Sequence, residues 1–171
     1  WSYCIHSLFD LAIAVGHGDD LVHLRDHHRS HASIIEYSNW EFYNGLLRVA
    51  TDYSRLKFPY GLDKIVIWKN VAGETVRPQA GSAFNQMEID AVIEQLKELI
   101  NSRYIGTIGV VTPFKRQAEL ITYYLRERHS RLHDELVKNH DFIAATAHKF
   151  QGDERDVIIF SPVVSNGAPQ G

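Results

Sequence analysis

Three short apolar runs, at 105–111, 142–146 and 157–160, are the feature that most constrains how this chain can fold. Each has the length of one strand, and a strand without polar alternation is typical of a parallel sheet that is buried on both faces. Segments with helical periodicity precede and separate these runs. The sequence therefore predicts an α/β fold with a parallel sheet and helices on both faces.

The first half of the chain has clear helix ends. Apolar residues at helical spacing after a possible Ser7 cap predict a helix over 7–15, before a short strand at 21–24. A second helix is predicted over 31–43, because Asn44 and Gly45 then break the pattern. The run Ile65-Val66-Ile67-Trp68 predicts a strand at 64–69.

The second half continues the alternation. Asn85 and Glu88 have the spacing of a capping box ahead of a helix that ends near 101. Thr112 and Pro113 predict the start of a further helix, capped by the threonine, that runs to about 128. The segment from 134 to 140 is predicted to be a polar connection. The inner face of the helix after Asn85 is predicted to comprise Ile89, Val92, Ile93, Leu96 and Leu99 or Ile100.

Composition bounds the class of protein. The 171 residues suit one domain, with or without a small appendage, and no apolar run approaches the roughly 20 residues that span a bilayer. Cys4 is the single cysteine, so we expect no internal disulfide and an intracellular, cytoplasmic setting. The chain begins with Trp1 and ends in a loop-like tail at Gly171, which suggests an excised part of a longer protein.

The net charge of −3 excludes a protein that binds nucleic acid through its bulk field. One stretch of the chain, 101–133, is nevertheless cationic. That run indicates either a solvated helix face or a local nucleic-acid surface. Its basic residues are Arg103, Lys115, Arg116, Arg126, Arg128 and Arg131, against Glu119 and Glu127.

The loop at 146–156 combines hydroxyl, imidazole, amide, carboxylate and bare backbone groups between two predicted strands. This is the position at which parallel sheets place ligand-binding groups, although an ordinary polar connection has a similar composition. Its core, Phe150-Gln151-Gly152-Asp153-Glu154, resembles motif V of superfamily 1 helicases, in the branch of the nonsense-mediated-decay helicase and its nuclease-helicase relatives. The resemblance implies that Thr146 and His148 face a nucleic-acid backbone, that Gln151 and Gly152 lie at an interdomain cleft, and that Glu154 approaches the nucleotide sugar.

The segment 24–31 resembles a second motif of that family, a Tyr-Arg pair beside the nucleotide. His28 stands at the position of the tyrosine, and Arg29 at that of the arginine. The resemblance implies that His28 stacks near the adenine and that Arg29 is an arginine finger on the terminal phosphates. The stretch 39–47 resembles the family's Phe-Tyr-x-Gly-x-Leu sequence, and we assign its Phe42, Tyr43 and Leu46 to the core.

The segment 112–117 resembles the family's Thr-Pro-Tyr-x-x-Gln sequence, with Phe114 in place of tyrosine. The amides at a helix N-terminus are suited to phosphate, so the resemblance implies a strand contact at Thr112, Pro113 and Lys115. The chain contains no Gly-x-x-x-x-Gly-Lys-Ser/Thr phosphate loop and no closing Thr-Arg-Ala-Arg motif.

Together these motifs imply that residues 1–171 form the second, C-terminal RecA-like domain of an ATP-dependent DNA or RNA helicase, incomplete at its C-terminal end. This is a P-loop NTPase-like fold of the AAA-type superfamily, without its own phosphate loop. The main ATP and Mg²⁺ ligands are then expected on a missing first RecA-like domain, and the isolated chain is expected to be inactive. Single-stranded nucleic acid is the expected partner, with no membrane, and the family branch suggests 5′ to 3′ movement.

Three alternatives remain open from the residues. The chain could be a catalytically inert RecA-like interaction or regulatory module, although it retains Arg29, Gln151 and Glu154. A metal site could form at Asp26, His27, His28 and His31, but no distant cluster supplies the remaining ligands, so no metal is predicted. A nuclease would have to lie outside this segment.

Overall fold

In the computed structural model, the chain is described at residues 7–16, 24–62, 64–79 and 81–165, apart from the Phe9 side chain. It divides into two compact units, Trp1–Thr51 and Asp52–Gly171. Among the described residues, no helix is long and apolar enough to cross a membrane.

The smaller unit begins with helix α1, Leu8–Val15. A capping box fixes its start: the Ser7 Oγ accepts from the Asp10 backbone N–H at 3.1 Å, and the Asp10 carboxylate accepts from the Ser7 N–H at 2.7 Å. The predicted helix and its Ser7 cap are confirmed. The predicted strand at 21–24 lies, apart from Leu24, outside the described residues.

A short parallel β-unit completes this part of the chain. Strands β1, Asp26–His27, and β2, Arg48–Val49, pair in parallel and are connected by helix α2, Ala32–Tyr43. The helix ends at Asn44, whose φ of 51° lies in the left-handed region that asparagine tolerates better than most residues. The predicted second helix is therefore confirmed to within one residue at its start.

The assignment of Phe42, Tyr43 and Leu46 to the core is wrong. Their exposed fractions are 70%, 50% and 51%. The physical reason is that α2 buries none of its residues, since the one sheet in the described part of this unit has two strands and is a small packing surface. The segment 39–47 is instead held by polar contacts, because the Asn39 side chain donates to the Leu47 carbonyl at 3.1 Å and accepts from its N–H at 2.8 Å.

The larger unit contains a parallel three-stranded sheet of order β4-β3-β5. A short 3₁₀ turn, Tyr53–Arg55, precedes its first helix. The elements in chain order are α3 Gln86–Asn101, β3 Ile108–Thr112, α4 Lys115–Arg128, α5 Ser130–His140, β4 Ile143–Thr146 and β5 Val157–Phe160. The predicted α/β class with a parallel sheet is confirmed.

The hydrophobic core of this unit lies between the three helices and the sheet. The predicted inner face of α3 is confirmed, since Ile89, Val92, Ile93, Leu96 and Leu99 are all buried. Strand β3 contributes Ile108 and Val110, and the remaining core residues are Tyr104, Ile121, Leu125 and Leu136. Burying this apolar face holds α3, α4 and α5 on the sheet.

Two predicted elements differ from the structure. No strand forms at 64–69 in the described residues, and Trp68 there is 82% exposed. The β-branched residues favour extended backbone, but a strand also needs a paired neighbour. The polar connection predicted at 134–140 is instead part of helix α5, Ser130–His140. Leu132 and Leu136 lie one helical turn apart in this mostly polar and charged sequence, and both pack into the core.

Candidate functional site

The carboxyl edge of the larger sheet brings three polar residues together. Thr112 at the end of β3 and Thr146 at the end of β4 are register partners. Directly beyond β5, the Ser161 N–H donates to the Val111 carbonyl at 2.9 Å, so Ser161 lies at the same edge. Thr112 and Thr146, two of the residues predicted to contact single-stranded nucleic acid, are therefore neighbours.

Thr112 is placed differently from its prediction. Its side chain is fully buried, and its hydroxyl accepts from the Phe114 N–H at 3.3 Å. The predicted helix cap is wrong, because α4 begins at Lys115 and its N-cap, Phe114, makes no side-chain cap bond. Thr112 instead stabilises the turn between β3 and α4. The exposed groups of this loop are those of Pro113 and Lys115.

The cationic run does not form one surface. Lys115 and Arg116 lie at the start of α4, where both are within ion-pair distance of Glu119. Arg126 and Arg128 lie in its last turn, about 20 Å away along a 14-residue helix. There the Arg128 guanidinium packs 4.3 Å from the centre of the Tyr124 ring, and Arg126 donates to His133 at 3.4 Å. Only the beginning of α4 is near the carboxyl edge.

A network of hydrogen bonds among buried polar side chains supports this edge of the sheet. The side chain of Gln117, which is fully buried on α4, accepts from the Asn85 N–H at 2.9 Å and donates to the Ser161 Oγ at 2.9 Å. Asn85 caps α3 as predicted, because its side chain accepts from the Glu88 N–H at 3.2 Å. Gln117 therefore ties the α4 and α3 starts to the end of β5.

Glu88 serves this network rather than the predicted capping box. Its Oε2 accepts from the Ser161 hydroxyl at 2.6 Å and from the Val163 N–H at 2.9 Å, while its Oε1 accepts from the Asn85 amide at 3.3 Å. Val163 has a φ of 68°, a strained conformation for a β-branched residue. The carboxylate holds the chain in that conformation. The Glu88 half of the predicted capping box is therefore wrong, because the Asn85 N–H bonds to Gln117 and not to Glu88.

The motif loop crosses from the end of β4 to the start of β5. Its first turn is closed by the Phe150 N–H on the Thr146 and Ala147 carbonyls, and Gly152 occupies a φ of 87° that favours glycine. The Phe150 ring packs over Gly109 of β3, where a Cβ atom would come within 2.6 Å of it. Because Gly109 has no side chain, the Phe150 ring can pack directly on the sheet, and this contact fixes the position of the loop.

The predicted functional groups of this loop face outward. His148, Gln151, Gly152 and Glu154 are all exposed. The loop is anchored behind them, since the Asp156 carboxylate accepts from the Thr107 N–H at 2.7 Å and from its hydroxyl at 2.9 Å. The chain therefore presents these side chains from a backbone that is fixed at both ends of the loop.

The Arg29 loop of the smaller unit is also fixed by side-chain contacts. The His27 Nε2 accepts from the Ser30 N–H at 3.0 Å, and the Thr51 hydroxyl donates to the Ser30 carbonyl at 2.7 Å. The His28 Nδ1 lies 3.2 Å from the Ala50 carbonyl oxygen, which can only accept, so this nitrogen carries the hydrogen. Arg29 itself is exposed.

Neighbouring basic residues affect the pKa of His27 in this loop. Burial lowers the pKa of His27 below its usual 6.5, and the neighbouring Arg29 and His28 lower it further. His27 therefore stays neutral and can accept from Ser30 at neutral pH. Because its folded pKa is depressed, this contribution to stability is present above pH ~6.5 and is lost as the pH falls toward the folded pKa.

The predicted nucleotide residues are thus divided between the units. His28 and Arg29 belong to the smaller unit, whereas Gln151, Gly152 and Glu154 belong to the larger one. Within the described part of the chain, no group of three or more His, Cys, Asp or Glu residues could hold a metal ion. The structure thus lends no support to a site at Asp26, His27, His28 and His31.

The fold and these loops define an α/β domain of the RecA-like, P-loop NTPase class. The chain belongs to a family described as AAA domain, which matches residues 5–171 and is the C-terminal domain family of superfamily 1 helicases. This confirms the resemblance inferred from the motifs.

Curated relatives agree with the family. The chain is 29% identical, over 94% of its length, to regulator of nonsense transcripts 1 of Dictyostelium discoideum, and covers 12% of that protein. It is 33% identical, again over 94%, to DNA polymerase alpha-associated DNA helicase A of Saccharomyces cerevisiae, and covers 25% of it. For ATP-dependent helicase NAM7 of the same yeast, the identity is 28%, over 94% of this chain and 17% of the relative. The chain thus spans a quarter or less of the length of these relatives.

Proposed function

We propose that this chain is the second RecA-like domain of an ATP-driven helicase or translocase that acts on single-stranded nucleic acid inside the cell. The family membership supports the class of protein. The observation that carries the proposal is the exposed loop at 147–156, which presents His148, Gln151 and Glu154 from a doubly anchored backbone. Such preorganisation suits a ligand loop better than a simple connection.

On the nucleotide side, the available groups suit the terminal phosphates and the sugar of ATP. Arg29 offers a planar, permanently charged fork suited to terminal phosphate oxygens, and Glu154 offers a carboxylate that accepts from sugar hydroxyls. His28, Gln151 and Gly152 complete the set. The chain lacks a phosphate loop, so we place the main ATP and Mg²⁺ ligands on a first RecA-like domain elsewhere in the protein. By itself the chain then hydrolyses no ATP.

On the strand side, we assign Pro113, Lys115, Thr146 and His148 to the contact with the nucleic-acid backbone. Lys115, Pro113 and His148 are exposed near the carboxyl edge, where Thr146 ends its strand. Thr112 acts in this proposal through the turn it stabilises, because its hydroxyl is buried against Phe114. The number of phosphates held by this domain is therefore small.

The strand contact is tested by Lys115→Ala in the full-length protein. We expect the variant to bind a single-stranded oligonucleotide about 2- to 5-fold more weakly, and the slope of log affinity against log salt to fall by about 0.7, because one counterion-releasing contact is lost. Fluorescence anisotropy across a salt series measures both. Lys138→Ala, an exposed lysine in the last turn of α5, is the matched control and should leave affinity and slope unchanged. Equal behaviour of the two variants would reject the assignment of Lys115.

A further inference from the structure

Arg155 is the most extensively bonded side chain of the motif loop. Although the loop is exposed, this side chain is only 8% exposed. Its Nε donates to the Asp141 carbonyl at 2.7 Å, and its Nη2 lies 3.2 Å from the Asp141 carboxylate. Its Nη1 donates to the Asp153 carboxylate at 2.6 Å and to the Glu154 carbonyl at 2.7 Å. One guanidinium thus fastens the loop to the corner between α5 and β4.

These bonds fix the backbone of Glu154 on both sides. The Glu154 N–H donates to the Asp153 carboxylate at 3.0 Å, and the Glu154 carbonyl accepts from Arg155. The Asp153 carboxylate is itself held as an anion, because the hydrogen bond from Arg155 lowers its pKa. The backbone that carries the exposed Glu154 side chain therefore cannot easily rotate.

The arrangement depends on the shape of arginine. Its three nitrogens point to four acceptor groups around one plane, which the planar five-donor fork allows. A lysine ammonium keeps the positive charge, but it is a single point and cannot reach the Asp141 and Glu154 carbonyls together. The corner residue Asp141 has a φ of 44°, so the anchor itself sits at a constrained backbone position.

We propose that Arg155 is a positioning residue that aims the Glu154 carboxylate at the nucleotide sugar and so sets the discrimination between ribose and deoxyribose. The proposal rests on the proposed function, in which Glu154 accepts from the sugar hydroxyls. Arg155 touches no nucleotide in this account. It acts through the peptide of Glu154, as an outer residue orients a ligand-binding one.

The test compares strand-stimulated hydrolysis of ATP, 2′-deoxyATP and 3′-deoxyATP by the full-length protein. In the wild type, we expect the KM for at least one deoxy analogue to exceed that for ATP by about tenfold, the effect of one lost hydrogen bond to a charged group. Glu154→Ala should abolish this difference. Arg155→Lys should bring the KM ratio to within about twofold of one, while the kcat with ATP changes little.

Two further variants separate positioning from folding. Asp141→Asn keeps a residue that tolerates the left-handed backbone and removes only an exposed charge, so it should fold normally and give an intermediate KM ratio. Arg55→Lys, an exposed arginine in the 3₁₀ turn, should keep the wild-type ratio. Thermal melts of all variants show whether each is folded at the assay temperature.

The outcomes distinguish this inference from the function beneath it. If Glu154→Ala loses the discrimination while Arg155→Lys and Asp141→Asn keep it, as Arg55→Lys does, Arg155 is only a structural anchor and the inference is overturned. If the wild type hydrolyses no ATP, or if Glu154→Ala leaves the KM ratio unchanged, the proposed role of the loop fails and the inference fails with it.

Discussion

We expect Arg29→Ala to slow ATP turnover by the full-length protein by about 10³- to 10⁵-fold, because this arginine would meet the charge that spreads over the transferred phosphoryl oxygens. The affinity for single-stranded nucleic acid should stay close to that of the wild type, since Arg29 belongs to the smaller unit and the residues assigned to the nucleic-acid contact all belong to the larger one. Steady-state phosphate release and fluorescence anisotropy measure the two effects separately.

The neighbouring arginine provides the control for this result. Arg25→Ala removes an exposed arginine four residues earlier and should leave turnover within a few fold of the wild type. Arg29→Lys keeps the charge without the planar fork, so it should recover only a small part of the lost rate. Near-normal turnover by Arg29→Ala would remove the arginine finger from the account.

The second large effect is on stability. Glu88→Ala should lower the free energy of unfolding by about 3 kcal/mol, because it leaves the Ser161 hydroxyl, the Val163 N–H and the Asn85 amide without their acceptor. The substitution also removes the hydrogen bond that holds the Val163 backbone in its strained conformation. Urea denaturation of the chain, followed by far-UV circular dichroism, measures the change.

A carboxylate on the same helix serves as the comparison. Asp90 is exposed and, among the described residues, accepts from the Gln86 side chain at 3.0 Å, so Asp90→Ala should cost no more than about 0.5 kcal/mol. Ser161→Ala removes one donor together with its need for an acceptor and should cost less than Glu88→Ala. Equal urea midpoints for Glu88→Ala and Asp90→Ala would show that the network does not stabilise the fold.

The elements that the sequence predicts well are those whose signal is local. Helix α3 has an apolar face at regular spacing and an asparagine cap, and strand β5 is a continuous apolar run that is bounded by polar residues. Helix α5 escaped prediction because Leu132 and Leu136 are the apolar residues of its charged sequence that reach the core, beside the buried His140. The apolar run at 64–69 led to a wrong prediction for the opposite reason. It has the composition of a strand, but a strand also needs a pairing partner, which composition does not reveal.

The site shows the same division. The loops that carry Arg29, Lys115 and Glu154 are recognisable as motifs, because their residues are consecutive. Their supports are distant in sequence: Glu88 holds Val163 across 75 residues, and Thr107 holds Asp156 across 49. Neither contact has a local pattern, and each becomes visible only when the parallel sheet brings the segments together. Arg155, set within an acidic run, likewise gave no sign of its role as an anchor.

The most direct test of the central claim is ATP hydrolysis by the full-length protein, measured with and without single-stranded DNA and RNA. We expect single-stranded nucleic acid to stimulate hydrolysis, and the more effective polymer identifies the substrate. Absence of hydrolysis with either strand would contradict the motor and favour a catalytically inert RecA-like interaction module.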